Sequence, residues 1–133
     1  MASSTSSAST IKFAEVDNMS DCIFCKIAAG EIPAQKVYED DSIIAFKDLS
    51  PKAPVHVLIV PKKHIQSVAH FKAEDKELAA HIFVDVVPKL AANLGVADNG
   101  FRIVVNTGND GGQTVNHLHV HLLGGRKMTW PPG

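Results

Sequence analysis

Three histidines lie two residues apart near the C-terminal end of the chain. His117, His119 and His121 alternate with apolar residues, and side chains alternate between the two faces of a strand. The pattern predicts a strand with one apolar face and one face of three imidazoles. Imidazole suits nucleophilic, acid-base and ligand roles near neutral pH. Two interpretations stay open here: the histidines jointly hold a catalytic zinc that activates water, or one is a nucleophile whose neighbours position phosphate and protons.

A glycine-rich loop, residues 106–114, directly precedes these histidines. Glycines allow backbone amides to approach a ligand closely, and hydroxyl and amide donors suit a phosphate or an oxyanion. The only acid in the loop is Asp110, whereas a metallohydrolase more often brings carboxylate ligands beside its histidines. The loop therefore favours the nucleophilic interpretation over catalytic zinc.

The only two cysteines, Cys22 and Cys25, are separated by two residues. They are too few for a disulfide framework, and such a close pair in a reducing compartment is typical of metal binding or redox chemistry. The alternative is a pair of reduced cysteines in a short helix.

Length and charge exclude several classes of protein. The chain has 133 residues and a formal net charge of -1, so we expect one domain that does not bind nucleic acid through its phosphates. No apolar run approaches the roughly 18 residues of a membrane span, and a secretory signal is not recognisable. We expect a flexible Ser/Ala/Thr-rich tail at residues 1–19 and a domain at residues 20–133. The tail contains no arginine, which disfavours organellar targeting and favours the cytoplasm or the nucleus.

Local patterns predict the elements that must position these residues. Gly30 and Pro33 end a short helix that begins near residue 21, and apolar residues spaced by four predict a long helix over residues 74–94. Pro88 should kink that helix or shorten its regular part. Strands are predicted at residues 37–39, 43–46, 55–60, 101–106 and 117–123. The expected fold is α+β, with a mostly antiparallel five-stranded sheet, one long helix and one short helix.

Residues 117–123 match the His-φ-His-φ-His-φ-φ motif (φ apolar) of the histidine-triad superfamily of nucleotide hydrolases and transferases. The sequence also resembles that family at residues 45–48, 61–65, 104–106 and 110–113. Its last ten residues, GGRKMTWPPG, are similar to the Hint branch, which consists of homodimeric nucleoside phosphoramidases. The resemblance implies the fold of that family and a homodimer formed through the long helix and the adjoining strand.

The resemblance also implies a mechanism. His119 would attack the α-phosphorus of a purine nucleoside phosphoramidate or acyl-adenylate, and water would then cleave the nucleotidyl-histidine to give AMP or GMP. His121 would hold the phosphate, and His117 would brace the triad. Adenylylsulfate hydrolysis is an alternative activity, since the same attack would expel sulfate. A third alternative is a nucleotide-binding interaction module with incidental catalysis, whose protein partners the sequence does not identify.

Substrate-binding positions follow from the same resemblance. Asn106, Gly112 and Thr114 would contact the phosphate or the leaving group, and Thr114 stands where many relatives have serine. Asp48 would accept the ribose hydroxyls. An apolar pocket around the base would consist of Ile23, Phe24, Ile27, Phe46 and Leu49, although ordinary core packing explains these five equally well. Trp130 would reach the partner subunit's site and shape leaving-group selection; packing on its own domain is the alternative.

The implied cofactor is a structural zinc, with no organic cofactor. Bacterial and plant relatives often carry the cysteine pair, and the resemblance implies a closed site made of Cys22, Cys25, His64 and His117. Such a site would connect the N-terminal helix to the triad. His56 is predicted to contact the triad, and no role is predicted for His70 or His81.

Overall fold

A five-stranded antiparallel sheet forms the centre of the protein, for which a computed structural model describes residues 21–133. The predicted tail therefore lies outside the described residues. The strands are β1 (Lys36–Glu39), β2 (Ile43–Lys47), β3 (Val55–Pro61), β4 (Phe101–Val104) and β5 (Val120–Gly124), in the spatial order β1-β2-β3-β5-β4. The short helix α1 spans Ile23–Ala28, and α2 (Lys76–Ala80) and α3 (Val87–Asn93) belong to the long helix. Short 3-10 helices lie at Val68–His70 and Ala73–Asp75. The predicted fold class is confirmed.

Strand alternation divides the apolar core between the two faces of the sheet. One face packs against the long helix, and its buried residues include Ile43, Ala45, Val57, Ile59, Ile82, Val86, Leu90, Val120 and Leu122. The other face packs against α1, and its core consists of Phe24, Ile27, Ile44, Phe46, Leu58 and Val60. Because neighbouring residues of a strand face opposite ways, His56 and His121 belong to the α1 face. The sheet therefore separates the apolar core under the long helix from the polar residues of the triad.

Among the helices of residues 21–133, none has the length and apolar character that crossing a membrane requires.

The long helix changes its hydrogen-bonding pattern before Pro88, where the sequence predicts a kink or a shorter regular part. Residues His81–Val86 form a π-helical segment between α2 and α3, and Pro88 lies in the first turn of α3. Proline has no N–H to donate to the carbonyl four residues earlier. The wider π pattern lets a carbonyl bond to the N–H one residue later, so the chain passes the proline without leaving the helix.

The triad strand begins later than predicted. The ladder of β5 starts at Val120, which pairs with Ile59 of β3, so His117 and His119 precede the strand and only His121 lies within it. The reason is that β3 ends at Pro61, which has no N–H for a further ladder bond. The N–H of Leu118 instead donates to the Ile65 carbonyl at 2.7 Å. Strand β4 also differs from its predicted bounds, because it ends at Val104 rather than at residue 106.

His81 connects the long helix to the turn between β1 and β2. Its Nε2 lies 2.7 Å from Asp40 Oδ2, and its Nδ1 lies 2.8 Å from Asp85 Oδ2. Tyr38 donates from its hydroxyl to the same Asp40 oxygen at 2.6 Å. Hydrogen bonds to Asp85 and then to Asp40 raise the pKa of His81 above its usual value.

We expect His81→Gln to cost more stability in mild acid than in base. A raised folded-state pKa contributes stability that is complete below the unfolded pKa and disappears as the pH rises through the folded pKa. Urea unfolding of both proteins at about pH 5.5 and about pH 9 measures the difference. Equal losses at the two pH values would contradict a charged His81 between Asp40 and Asp85.

Candidate active site

His119 is buried and held in one orientation by the backbone. Its Nδ1 lies 2.7 Å from the carbonyl oxygen of His117, and a carbonyl can only accept a hydrogen bond, so Nδ1 carries a proton. In the neutral ring, Nε2 therefore has a free lone pair. The Phe24 ring packs edge-on against His119, with the centroids 5.1 Å apart. The structure thus fixes the orientation of the His119 ring and leaves its Nε2 available to a ligand.

A backbone N–H fixes the tautomers of two further histidines. The Lys52 N–H donates to Nδ1 of His56 at 3.0 Å, so the proton of neutral His56 is on Nε2. This nitrogen lies 2.9 Å from Nδ1 of His121, which must accept. Neutral His121 therefore carries its proton on Nε2, where it can donate to a ligand. The predicted contact of His56 with the triad is confirmed.

Burial keeps this histidine pair uncharged at neutral pH. Desolvation, followed by the neighbouring His119 and His56, lowers the pKa of His121 to about 4. Desolvation also lowers the pKa of His56, against the opposing effect of Asp48. His121 is thus a neutral hydrogen-bond donor rather than a cation.

The four predicted metal ligands lie together between α1 and the triad. Cys22 Sγ is 3.2 Å from His117 Nδ1, and Cys25 Sγ is 3.2 Å from His64 Nδ1. The four ligand atoms all lie within 4.8 Å of one another. Tetrahedral zinc would place sulfur and nitrogen ligands about 3.5 Å apart. His117 Nε2 donates to the Pro61 carbonyl at 2.8 Å, which leaves Nδ1 for a metal. The donor set and the tautomer both fit zinc.

A second cluster, Asp48, His56 and His121, brings three ligand atoms within 4.8 Å but does not fit a metal. A ring that coordinates through Nε2 must carry its proton on Nδ1. In His56 that nitrogen accepts the Lys52 N–H, so Nε2 carries the proton. These residues therefore form a hydrogen-bonded chain, and only the cysteine-containing cluster is suited to zinc.

The Gly112 N–H, one of the predicted phosphate contacts, donates within the loop in this structure. It donates to the Asn109 carbonyl at 3.0 Å and closes a tight turn in which Gly112 has φ +81°. The N–H groups of Thr114 and Val115 are further candidates, because neither donates to a protein acceptor within residues 21–133. The Thr114 side chain is exposed, and Asn106 is half-buried.

The Gln113 side chain holds the loop in place. Its Oε1 accepts from the Gly108 N–H at 2.9 Å, and its Nε2 donates to the carbonyls of Gln66 and Val115 at 2.7 and 2.9 Å. Gly111 is required for a different reason, because a Cβ there would lie 2.4 Å from the Thr107 carbonyl oxygen. The loop is therefore a rigid support for the donors that follow it.

The predicted base pocket and ribose contact lie on the α1 face beside His119. Phe24, Ile27 and Phe46 are buried, and the rings of Phe24 and Phe46 pack edge-on at 5.7 Å. Ile23 is partly exposed, and Leu49 is 98% exposed within the single chain. Asp48 Oδ1 accepts from the Ser50 N–H at 2.7 Å, and Asp48 Oδ2 lies 3.5 Å from His56 Nε2.

Within one chain, Trp130 lies outside the predicted base pocket and ribose contact. It is 80% exposed, and Arg102 of β4 stacks over its ring at 6.0 Å.

The sequence predicted no role for Lys52. This residue contributes to the site through its backbone N–H, and a backbone contact has no signature in the sequence.

The comparisons with known proteins agree with this geometry. The profile of the HIT domain matches residues 29–128. The chain is 48% identical over 113 residues to a "14 kDa zinc-binding protein" of Brassica juncea, covering 85% of this chain and 100% of that protein. It is 53% identical to a solved HIT family hydrolase from Legionella pneumophila, with a TM-score of 0.83, covering 85% of this chain and 100% of that one. A solved histidine triad nucleotide-binding protein from Candida albicans is 35% identical, with a TM-score of 0.69, over 84% of this chain and 83% of that one. The chain belongs to the HIT domain family.

Proposed function

We propose that the protein is a purine nucleoside phosphoramidase that cleaves adenosine 5'-phosphoramidates and acyl-adenylates to AMP. The observation that carries the proposal is the hydrogen bond from His119 Nδ1 to the His117 carbonyl, because in the neutral ring it leaves the lone pair on Nε2. An unprotonated imidazole is a competent nucleophile at neutral pH. The resemblance to the Hint branch supports the same reaction.

The first step forms a covalent intermediate. The Nε2 lone pair of His119 attacks the α-phosphorus, and the bond from phosphorus to the leaving nitrogen or acyl oxygen breaks. The ring then bears phosphorus on Nε2 and a proton on Nδ1, so it is cationic, and the His117 carbonyl stabilises this charge. A leaving amine takes its proton from solvent, because neutral His121 uses its Nε2–H to hold a phosphoryl oxygen. A leaving carboxylate needs no proton.

The second step regenerates the enzyme. Water attacks phosphorus, the bond to Nε2 breaks, AMP leaves and the proton of the water passes to solvent. Throughout, the hydroxyl of Thr114 and the N–H groups of Thr114 and Val115 are the further candidates to bind phosphoryl oxygens. Asp48 accepts from the ribose, and Phe24 and Phe46 contact the base. Imidazoles, a hydroxyl and backbone N–H groups suffice for one phosphate, which agrees with the chain's net charge of -1.

Direct detection of the intermediate tests the proposal. Rapid quenching of the protein with an adenosine phosphoramidate should give a peptide that carries AMP on His119, and His119→Ala should give none. Hydrolysis without any such adduct would overturn the covalent mechanism. Comparing turnover of adenosine phosphoramidate and adenosine phosphosulfate then ranks phosphoramidase against adenylylsulfatase. Nucleotide binding with no turnover of either substrate would favour the interaction module.

We also propose that Cys22, Cys25, His64 and His117 bind one structural zinc ion. The metal would supply a crosslink between α1, the segment after β3 and the triad. The complete ligand set leaves no position for substrate, which is the arrangement of structural rather than catalytic zinc. The zinc-binding name of the Brassica juncea relative supports this assignment.

A homodimer is the proposed assembly. The long helix exposes Phe83 and Val84, and the edge strand β4 exposes Phe101, whereas large exposed apolar groups are typical of interfaces. Light scattering should give twice the chain mass of 14.3 kDa. Val84→Asp should shift the protein towards monomer, and Lys76→Asp at an exposed position of the same helix should not. A monomeric wild-type protein would contradict the assembly.

A further inference from the structure

The turn that follows the triad strand has no room for side chains. A Cβ on Gly124 would lie 2.7 Å from Val96 Cγ1. Gly125 has φ +88°, and a Cβ there would lie 2.9 Å from Pro54 Cβ. Both glycines are therefore required by packing, and the second also by its left-handed backbone. Gly125 brings the chain directly against Pro54, in the loop between β2 and β3.

The side chain of Arg126, the next residue, binds a backbone carbonyl of that loop. Its Nη2 and Nε donate to the Lys52 carbonyl at 2.9 and 3.2 Å, and its Nη1 donates to the Lys127 carbonyl at 3.1 Å. The planar guanidinium presents its donors in a fixed geometry, so it restrains the orientation of the Lys52 carbonyl as well as its distance from Arg126. Lys52 is thus restrained on its carbonyl side.

The same residue, Lys52, donates its N–H to His56. We propose that Arg126 is a positioning residue, which holds the Lys52 N–H against His56 Nδ1 and thereby sets the tautomers of His56 and His121. Each link is a direct contact: guanidinium to Lys52 carbonyl, Lys52 N–H to His56 at 3.0 Å, and His56 to His121 at 2.9 Å. The chain of contacts runs from the Gly-Gly-Arg turn to the phosphate-facing nitrogen of the triad.

Loss of the Arg126 contact has a defined chemical consequence. Without a fixed donor at Nδ1, the Nδ1–H tautomer of His56 is no longer excluded, and only the contacts of Nε2 with His121 and Asp48 still favour the original tautomer. A fraction of the molecules would therefore carry the His56 proton on Nδ1. His121 Nδ1 would lose its donor, and the Nε2–H of His121 would no longer be specified. The tautomer effect is a property of the free protein, whereas its effect on turnover rests on the proposed function.

Nitrogen-15 NMR of histidine-labelled protein tests the proposal without substrate. In the wild type, long-range proton-nitrogen spectra should show His56 with an unprotonated Nδ1 and a protonated Nε2. Arg126→Gln should move both His56 nitrogens towards the values of a tautomer mixture, with a matching shift at His121. Arg126→Lys, which keeps the charge but loses the planar fork, should shift them less. Arg102→Gln is the matched control, because Arg102 also donates to a backbone carbonyl, that of Thr129, but does not contact Lys52.

Two results would overturn the proposal. One is wild-type His56 and His121 signals in Arg126→Gln, and the other is an equal shift in Arg102→Gln. In hydrolysis assays, Arg126→Gln should lower kcat about tenfold with little change in KM, since small misplacements of reacting groups reduce turnover. A protein that shows the tautomer shift but no hydrolysis of nucleotide substrates would keep this inference and refute the proposed function.

Discussion

His119→Ala is expected to lower the kcat for adenosine phosphoramidate hydrolysis by about 10⁴-fold or more, as removal of a covalent nucleophile does in other enzymes. Alanine leaves no atom that can attack phosphorus, and the His117 ring, whose N–H also donates to a backbone carbonyl, has its other nitrogen at the cysteines. His121 presents a protonated Nε2 instead of a lone pair, because its Nδ1 accepts from His56. Steady-state kinetics of the variant and the wild type measure the loss.

The control for this substitution is His70→Ala. His70 is exposed, and its Nδ1 lies 2.7 Å from the Ser67 hydroxyl, so its removal should leave hydrolysis within about twofold. AMP binding, measured by calorimetry, should survive in His119→Ala, since the pocket and Asp48 remain. Residual activity above a few per cent of the wild type would show that His119 is not the nucleophile.

Chelation of the proposed zinc, or Cys25→Ser, is expected to lower the unfolding temperature by about 15 °C. A ligand present at about a thousand times its dissociation constant stabilises the folded state by about 4 kcal/mol, and for a domain of this size each kcal/mol corresponds to about 4 °C. Differential scanning calorimetry, with metal analysis of the same samples, measures both quantities.

Recovery on adding zinc separates metal loss from a simple packing defect. Zinc should restore the chelated wild type but not Cys25→Ser, which lacks a ligand. Below the unfolding temperature, metal depletion should lower the turnover less than it lowers the stability, because the proposed metal would bind the His117 ring, whereas His119 is held by the His117 carbonyl. A stable, fully active protein without zinc would remove the metal from this account.

Side-chain chemistry could be predicted from the sequence, whereas much of its positioning depends on the backbone. The spacing of His117, His119 and His121 places their rings on the α1 side, and the apolar runs predict β2 and β3 closely. The start of β5 could not be predicted, because it depends on Pro61 ending the partner strand. The hydrogen bond from the Gly112 N–H to the Asn109 carbonyl could not be predicted either, because it joins two backbone groups. The role of the Lys52 N–H was missed for the same reason.

The long helix and the predicted base pocket show a second limit of prediction from sequence, which is that tertiary packing decides the outcome. Pro88 predicted a disturbance, but whether a proline gives a kink or a π segment depends on which carbonyls can find a new donor. Leu49 was predicted to line the base pocket from resemblance alone, and its side chain is 98% exposed. Burial is a property of tertiary packing, which an apolar residue type does not determine.

His117 serves two neighbours through different parts of the same residue. Its ring points to the cysteines, whereas its carbonyl accepts from His119. Because every amino acid has that carbonyl, the two tasks are separable by redesign. His117→Cys would create a three-cysteine, one-histidine ligand set, which zinc also accepts, while keeping the acceptor for the nucleophile. The composition of the metal centre could therefore be varied independently of the catalytic imidazole.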